Sequence, residues 1–212
     1  MTKRLAKDLL QFLLLRKAFL WRLPPAAGRA VAFTFDDGPD PVFTPLVLEA
    51  LARHRILATF FLVGKKALAA PELVRDVARA GHVIGNHSYQ HIDYTSLSRR
   101  ERRADWEEAQ ALLGRITGSR PTLFRPPRGK VDPGLLHLMR RLGQRLVLWS
   151  RSSQDYRRDG TEAIYARARG DALRAGEILL FHDHNPGTVE VVQRLIPELL
   201  AANFSFCTVD CP

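Results

Sequence analysis

Cysteine is scarce in this 212-residue chain, which holds only Cys207 and Cys211. Two cysteines make no disulfide framework, and without a second pair at ribbon spacing they make no structural zinc ribbon. They are expected as reduced thiols on or just after a last strand, which suits a reducing compartment. Long apolar runs are also missing. The run Leu9–Leu15, interrupted by Gln11, is far short of the ~18 residues a spanning helix needs. Charges return at once in Arg16-Lys17, and no small-residue cleavage site follows at the right distance, so a secretory signal is not expected. No Gly-rich dinucleotide fingerprint follows the first strand candidate, and neither an internal repeat nor a low-complexity segment is evident. Acids are nearly absent at the N-terminus. Through Arg29 seven basic residues face the single acid Asp8, so +6 of the formal net charge of +10 sits there. A nucleic-acid surface would spread its charge and interleave aromatics, so no nucleic-acid partner is expected.

What is present divides the chain into residues 1–23, a basic apolar N-terminal helix, and residues 24–212, a single domain. The helix either covers the bottom or side of that domain or lies on an anionic membrane. The expected location is cytoplasmic, with a peripheral position at the inner membrane as the alternative. After Pro24-Pro25, apolar strand candidates alternate with helical segments. The strands are 31–35, 58–63, 82–86, 122–125, 145–149, 177–181 and 204–209; the helices are 45–54, 66–80, 99–116, 133–142, 161–174 and 189–201. Gly81, Gly118, Gly143 and Gly176 stand at or near helix ends, and Pro71 and Pro133 fit first turns. Seven strands alternating with helices imply a parallel sheet. Since the alternation uses the whole chain, the expected fold is α/β, a distorted seven-stranded (β/α) barrel.

The chemistry-bearing stretch is Val31–Pro39, VAFTFDDGP. A buried strand ends on two adjacent carboxylates, Asp36 and Asp37, and Gly38-Pro39 then forces a turn. Paired acids at such an end repel one another and resist desolvation. A cation bound by one of them removes the conflict and leaves the other free as a base. Barrel chemistry collects at the C-terminal ends of strands, and the other strand ends here are polar as well: Asn86-His87 with His91, Arg125-Pro126-Pro127-Arg128-Gly129, Asp155-Tyr156 and His182-Asp183-His184. His87 and His91 are four apart, which on a helical turn puts both imidazoles on one face. With a carboxylate from the first strand they make a His-His-Asp set. Three protein ligands and an open position are the arrangement of a catalytic zinc.

These residues carry a family resemblance. TFDDGP (34–39), HSYQH (87–91), RPPRG (125–129), Asp155-Tyr156 after Trp149, and LFH (180–182) resemble, in order, the five motifs of the polysaccharide deacetylases, also called the NodB-homology or carbohydrate esterase 4 family. The resemblance implies a distorted (β/α) barrel that hydrolyses acetyl groups on sugars with a divalent metal, most readily Zn2+, with Co2+ or Ni2+ as substitutes. By position, Asp37, His87 and His91 resemble the metal ligands and Asp36 the catalytic base. His182 resembles the general acid, Asp155 the aspartate that orients it, and Arg125 the arginine that holds the base. Leu180 resembles the residue lining the acyl-methyl pocket, and the backbone N–H of Arg128 takes the place of a donor to the oxyanion.

The chain also departs from the family pattern. Arg128 stands where an aromatic is usual, Tyr156 where tryptophan is usual, and Ser152 where an earlier aspartate is usual. The glycan-gripping groove formed with Arg128 and Tyr156 is therefore expected to differ, with Arg128 facing an anionic group on the substrate. His184 is expected to be solvated, and His54, His82 and His137 structural. The leading reading is a metal-dependent hydrolase of an N-acetylated amino sugar, as a polysaccharide, oligosaccharide or lipid-linked precursor. A deformylase or other amide hydrolase of the same superfamily is the alternative, and a non-enzymatic basic binding protein the reading from another class.

Overall fold

The computed structural model describes residues 19–170 and 173–211. The expected N-terminal helix lies outside the described residues as far as residue 18. Its last part does not continue as helix: Phe19–Leu20 is a strand, β1, paired in parallel with Leu146 and Val147. Leu23 then donates its N–H to the Gly176 carbonyl. A pair of strand residues is too short to show a period of its own, so the partner decides its conformation.

The remaining strands are β2 (Ala30–Gly38), β3 (Thr59–Leu62), β4 (Val83–Asn86), β5 (Leu123–Phe124), β6 (Arg145–Val147), β7 (Arg151–Ser152), β8 (Ile178–His182) and β9 (Ser205–Phe206). They form one sheet in the order β1-β6-β5-β4-β3-β2-β8-β7, with β9 against the start of β2, and the paired strands run parallel. The expected strand 145–149 stops at Val147 and resumes as β7. Its first half pairs with β5 and its second with β8. One broken stretch thus touches both ends of the run β5-β4-β3-β2-β8, and the sheet curls into a distorted half-barrel.

The helices are α1 (Phe43–Arg53), α2 (Gly64–Ala69), α3 (Pro71–Arg79), α4 (Arg99–Thr117), α5 (Pro133–Arg141), α6 (Thr161–Arg169) and α7 (Pro186–Ala201). The single helix expected over 66–80 is two. Pro71 disfavours helical geometry at Ala70, which sits at φ −135°, and itself opens α3. Helix α4 begins with a reciprocal capping box between Ser98 and Glu101 and ends at the left-handed Gly118.

Strand alternation sorts the interior. On β2, Val31, Phe33 and Phe35 join Phe60, Phe181 and the apolar faces of α1 and α7 in the outer core. Ala30 and Ala32 pack with Phe61, Val147, Ile178 and Val209 inside the curl. Thr34 and Asp36 continue that inner row toward the C-terminal end of the strand, where the interior opens.

Candidate active site

A strict period of two would send Asp37 to the face opposite Asp36. The β2–β3 register slips between Asp36 and Gly38, and Asp37 takes φ 69°. A bulge of this kind re-aims a side chain, so both carboxylates face one cavity. Gly38 must lack a Cβ, because Asp183 fills the space one would need.

The histidines arrive from β4 and the loop after it. His87 and His91 are not on a helical turn, contrary to the spacing argument. Ser88 (φ 72°) and His91 (φ 58°) are left-handed, and the loop folds around the buried Asp105 of α4. Asp105 accepts the N–H groups of Tyr89 and Gln90, both at 2.9 Å, and the hydroxyl of Tyr94 at 2.8 Å. The Asn86 side chain accepts the Ser88 N–H and donates to α4 through the Trp106 carbonyl and Gln110. The rings of His87 and His91 lie 5.1 Å apart.

Nε2 of His87 is 3.3 Å and Nε2 of His91 3.0 Å from Asp37 Oδ1. The three ligand atoms all lie within 4.8 Å of one another. Nδ1 of His87 lies 2.7 Å from the Arg125 carbonyl, which only accepts, so Nδ1 carries the hydrogen and Nε2 presents a lone pair. That lone pair meets a carboxylate oxygen that is buried and has no hydrogen-bond partner. Such a set is unfavourable without a cation. Where no cation is bound and the imidazoles carry protons instead, burial still raises the Asp37 pKa, but their hydrogen bonds and charge outweigh it and hold the carboxyl well below the usual range. The donor set of two imidazoles and one carboxylate fits a divalent cation.

Asp36 is held differently. The fully buried Arg125 donates to its Oδ1 at 2.6 Å, to Thr34 Oγ1 at 2.8 Å and to the carbonyls of Val147 and Leu148. Burial pulls the Arg125 pKa below its ordinary value, against the opposing pull of Asp36. The guanidinium also lies 4.1 Å over the Phe61 ring. The second Asp36 oxygen is free of Arg125 and lies 3.7 Å from His87 Nε2, facing the cluster.

In the parallel β2–β8 ladder Asp36 is level with His182, so the two flank the cluster from adjacent strands. His182 Nδ1 is 2.6 Å from Asp155 Oδ1, and the His182 N–H donates to Oδ2 at 2.7 Å. Asp155 is fully buried, accepts the Thr188 hydroxyl, and holds Asn185 through its own carbonyl. Burial lowers the His182 pKa, but the hydrogen bond and charge of Asp155, helped by Asp36 and Asp37, raise it to about 9.

The cavity above these groups measures about 530 Å3 and is also lined by Arg128, Trp149, Ser152, Gln154, Tyr156 and Leu180. Leu180 is buried in its wall, whereas Tyr156 is exposed at the rim, its ring edge-to-face with His182 at 5.8 Å between centroids. Arg128 is left-handed (φ 61°) and its guanidinium is mostly exposed, 3.9 Å from Asp93. Asp93 takes the closer Lys130 ammonium at 2.5 Å. Trp149 packs so tightly on Gly129 that an added Cβ would sit 2.5 Å from the indole. All ten candidate site residues thus surround or support one cavity. His184, expected to be solvated, is half-buried with its ring 5.5 Å from His182. Sequence reading missed Asp105, Thr34 and Thr188. Asp105 sits in the charged run RRERRADWEE, where nothing separates a buried carboxylate from a solvated one.

Residues 24–147 match the sequence profile of a family described as polysaccharide deacetylase. A peptidoglycan-N-acetylglucosamine deacetylase of Bacillus cereus is 34% identical over 183 residues, covering 84% of this chain, which spans 66% of that protein's length. A chitooligosaccharide deacetylase of Sinorhizobium fredii is 35% identical over 195 residues, covering 84% of this chain and 90% of that protein. Among solved structures, a peptidoglycan N-acetylglucosamine deacetylase superposes with a TM-score of 0.87 at 32% identity, covering 92% of both chains.

Proposed function

From the premise that this chain belongs to the polysaccharide deacetylase family, we propose that it hydrolyses the acetamido group of an N-acetylated amino sugar, with Asp36 as base and His182 as acid. The observation that carries this reading is the level pairing of Asp36 and His182 on adjacent strands beside the Asp37–His87–His91 cluster. Asp37, His87 and His91 would hold the divalent cation, which supplies Lewis acidity: it acidifies water and polarises an acyl oxygen. The nitrogen-rich donor set favours zinc, with cobalt or nickel as competitors.

The remaining steps belong to the protein. Arg125 fixes one oxygen of Asp36 and so aims the other at the cluster. The other oxygen takes the proton of the attacking water as its oxygen bonds to the acyl carbon. His182 enters protonated, and it gives its proton to the sugar nitrogen as the carbon–nitrogen bond breaks. Acetate and a free amine leave. Asp155 sets the His182 tautomer and compensates its charge. The Arg128 backbone N–H assists the oxyanion, and Leu180 lines the acetyl-methyl pocket.

Acetate release from acetylated chito-oligosaccharides and peptidoglycan fragments tests the reading. Wild type should be active with zinc and inactive with chelator, and Asp36→Asn should lose ~10²–10⁴-fold in kcat while binding zinc as wild type does. An Asp36→Asn chain of normal activity overturns the assignment. Release of formate but not acetate from matched substrates would favour the deformylase reading instead.

Arg128 directs the finer substrate reading. Paired among the described residues with the distant Asp93, its guanidinium is available to a carboxylate or phosphate on the glycan. Arg128→Ala should raise KM for acidic acetamido sugars about tenfold or more, and neutral ones little; equal losses on both count against the role. The basic N-terminal stretch supports work at an anionic membrane surface on the cytoplasmic side. Flotation of the full chain with anionic but not neutral vesicles is the expected result.

A further inference from the structure

We propose that Cys207 and Cys211 close an intramolecular disulfide that staples the turn between them at the base of the barrel, with a small-molecule disulfide such as oxidised glutathione as electron acceptor. The two sulfurs are 2.7 Å apart. That is well inside the ~3.5–4.0 Å at which unbonded heavy atoms rest, and the sulfurs move less than 1 Å to reach the ~2.05 Å of a bond.

The backbone already holds this geometry. Cys207 donates its N–H to the Val31 carbonyl, just past the β9–β2 pairing, and Cys211 donates to the Thr208 carbonyl, closing the turn between them. Between the cysteines the fully buried Val209 plugs the inner core and donates its N–H to Thr59 Oγ1. Both cysteines pack against that core cluster. A shared metal is the other use of paired thiols, but among the described residues the metal-capable clusters hold neither cysteine. The pair lies at the end of the barrel opposite the acetyl site, so its oxidation leaves the catalytic residues untouched.

The exchange balances. One of the two sulfurs, as thiolate, attacks glutathione disulfide and releases one glutathione thiolate. The other sulfur then displaces the second, losing its proton to solvent. The two protein thiols are oxidised by two electrons and one glutathione disulfide is reduced to two thiols. The cysteines read from sequence as reduced thiols are, on this geometry, a pair whose state follows the compartment.

The test uses the full chain, reduced and then held in graded ratios of oxidised to reduced glutathione, quenched in acid and alkylated. No Lys or Arg follows Arg194, so one tryptic peptide carries both cysteines. As the poise becomes oxidising, that peptide should lose the mass of two hydrogens and both alkyl groups together, with no cross-linked dimer. Cys207→Ser and Cys211→Ser should each instead gain one glutathione. Two alkyl groups at every poise, two glutathione adducts on wild type, or interchain dimers would each overturn the proposal.

Discussion

At the scale of single residues, His182 has the most legible electrostatics. Its burial alone would make it a weaker base, yet the Asp155 carboxylate at 2.6 Å reverses the sign and raises its pKa to about 9. A general acid must be protonated, so kcat should hold through neutral pH and fall as pH rises through about 9. Asp155→Asn preserves the shape but removes the charge, and should bring that alkaline limb back toward the ordinary histidine value of ~6.5. A pH–rate profile measures the difference, and an unmoved limb would mean that Asp155 only packs. The same shift has a stability consequence. A histidine raised in the folded state stabilises fully below ~6.5, and that contribution is lost as pH rises through about 9. Activity and this part of the stability therefore fail together on the alkaline side.

At the scale of elements, the His87–His91 loop shows why some of the site could be read from sequence and some could not. Strand β2 was legible because its apolar run, its paired acids and its Gly-Pro turn are local signals. The metal-type histidines were legible as residue types at a spacing, but the spacing suggested a helix. The loop instead takes two left-handed residues, and its N–H groups bond to Asp105 rather than to preceding carbonyls. That partner lies on another element, and no local pattern marks it. The same reason covers β1, β7 and the shortened β9, which exist through their neighbours rather than their own period. The split at Ala70, by contrast, has a local signal in Pro71. In either orientation of its amide, Asp105→Asn puts an N–H donor against the backbone N–H of Tyr89 or of Gln90. It should lower zinc affinity about 10–100-fold, as loss of an outer-shell partner does, with kcat at saturating zinc largely kept. Calorimetric titration of zinc into the metal-free chain measures this, and an unchanged affinity would refute the anchoring role.

At the scale of the whole molecule, the two ends of the barrel respond to pH in opposite directions. The catalytic end, with His182 as the proposed acid, depends on a histidine kept protonated. The opposite end depends on one kept neutral. His82 stands just before β4 with its ring 5.2 Å from Phe60, and its Nδ1 accepts the Ala58 N–H at 3.1 Å. Only the unprotonated nitrogen can accept, and burial pulls the pKa down to about 4. The unfolded chain takes up this proton near ~6.5, whereas the folded chain resists it until about 4. Stability must therefore decline as pH falls across that interval, by an amount of order 2–3 kcal/mol from this one residue. Urea unfolding from pH 4 to 7 measures it. His82→Asn keeps an acceptor and cannot titrate, so it should lose about that much less over the interval, even if it starts lower at neutral pH. Carboxylates that titrate near the acid end act alike in both chains, so the difference in slope isolates His82. Parallel curves would place the acid sensitivity elsewhere. A divergence would leave the enzyme a working window bounded by His82 in acid and by His182 in alkali, set at opposite ends of the same sheet.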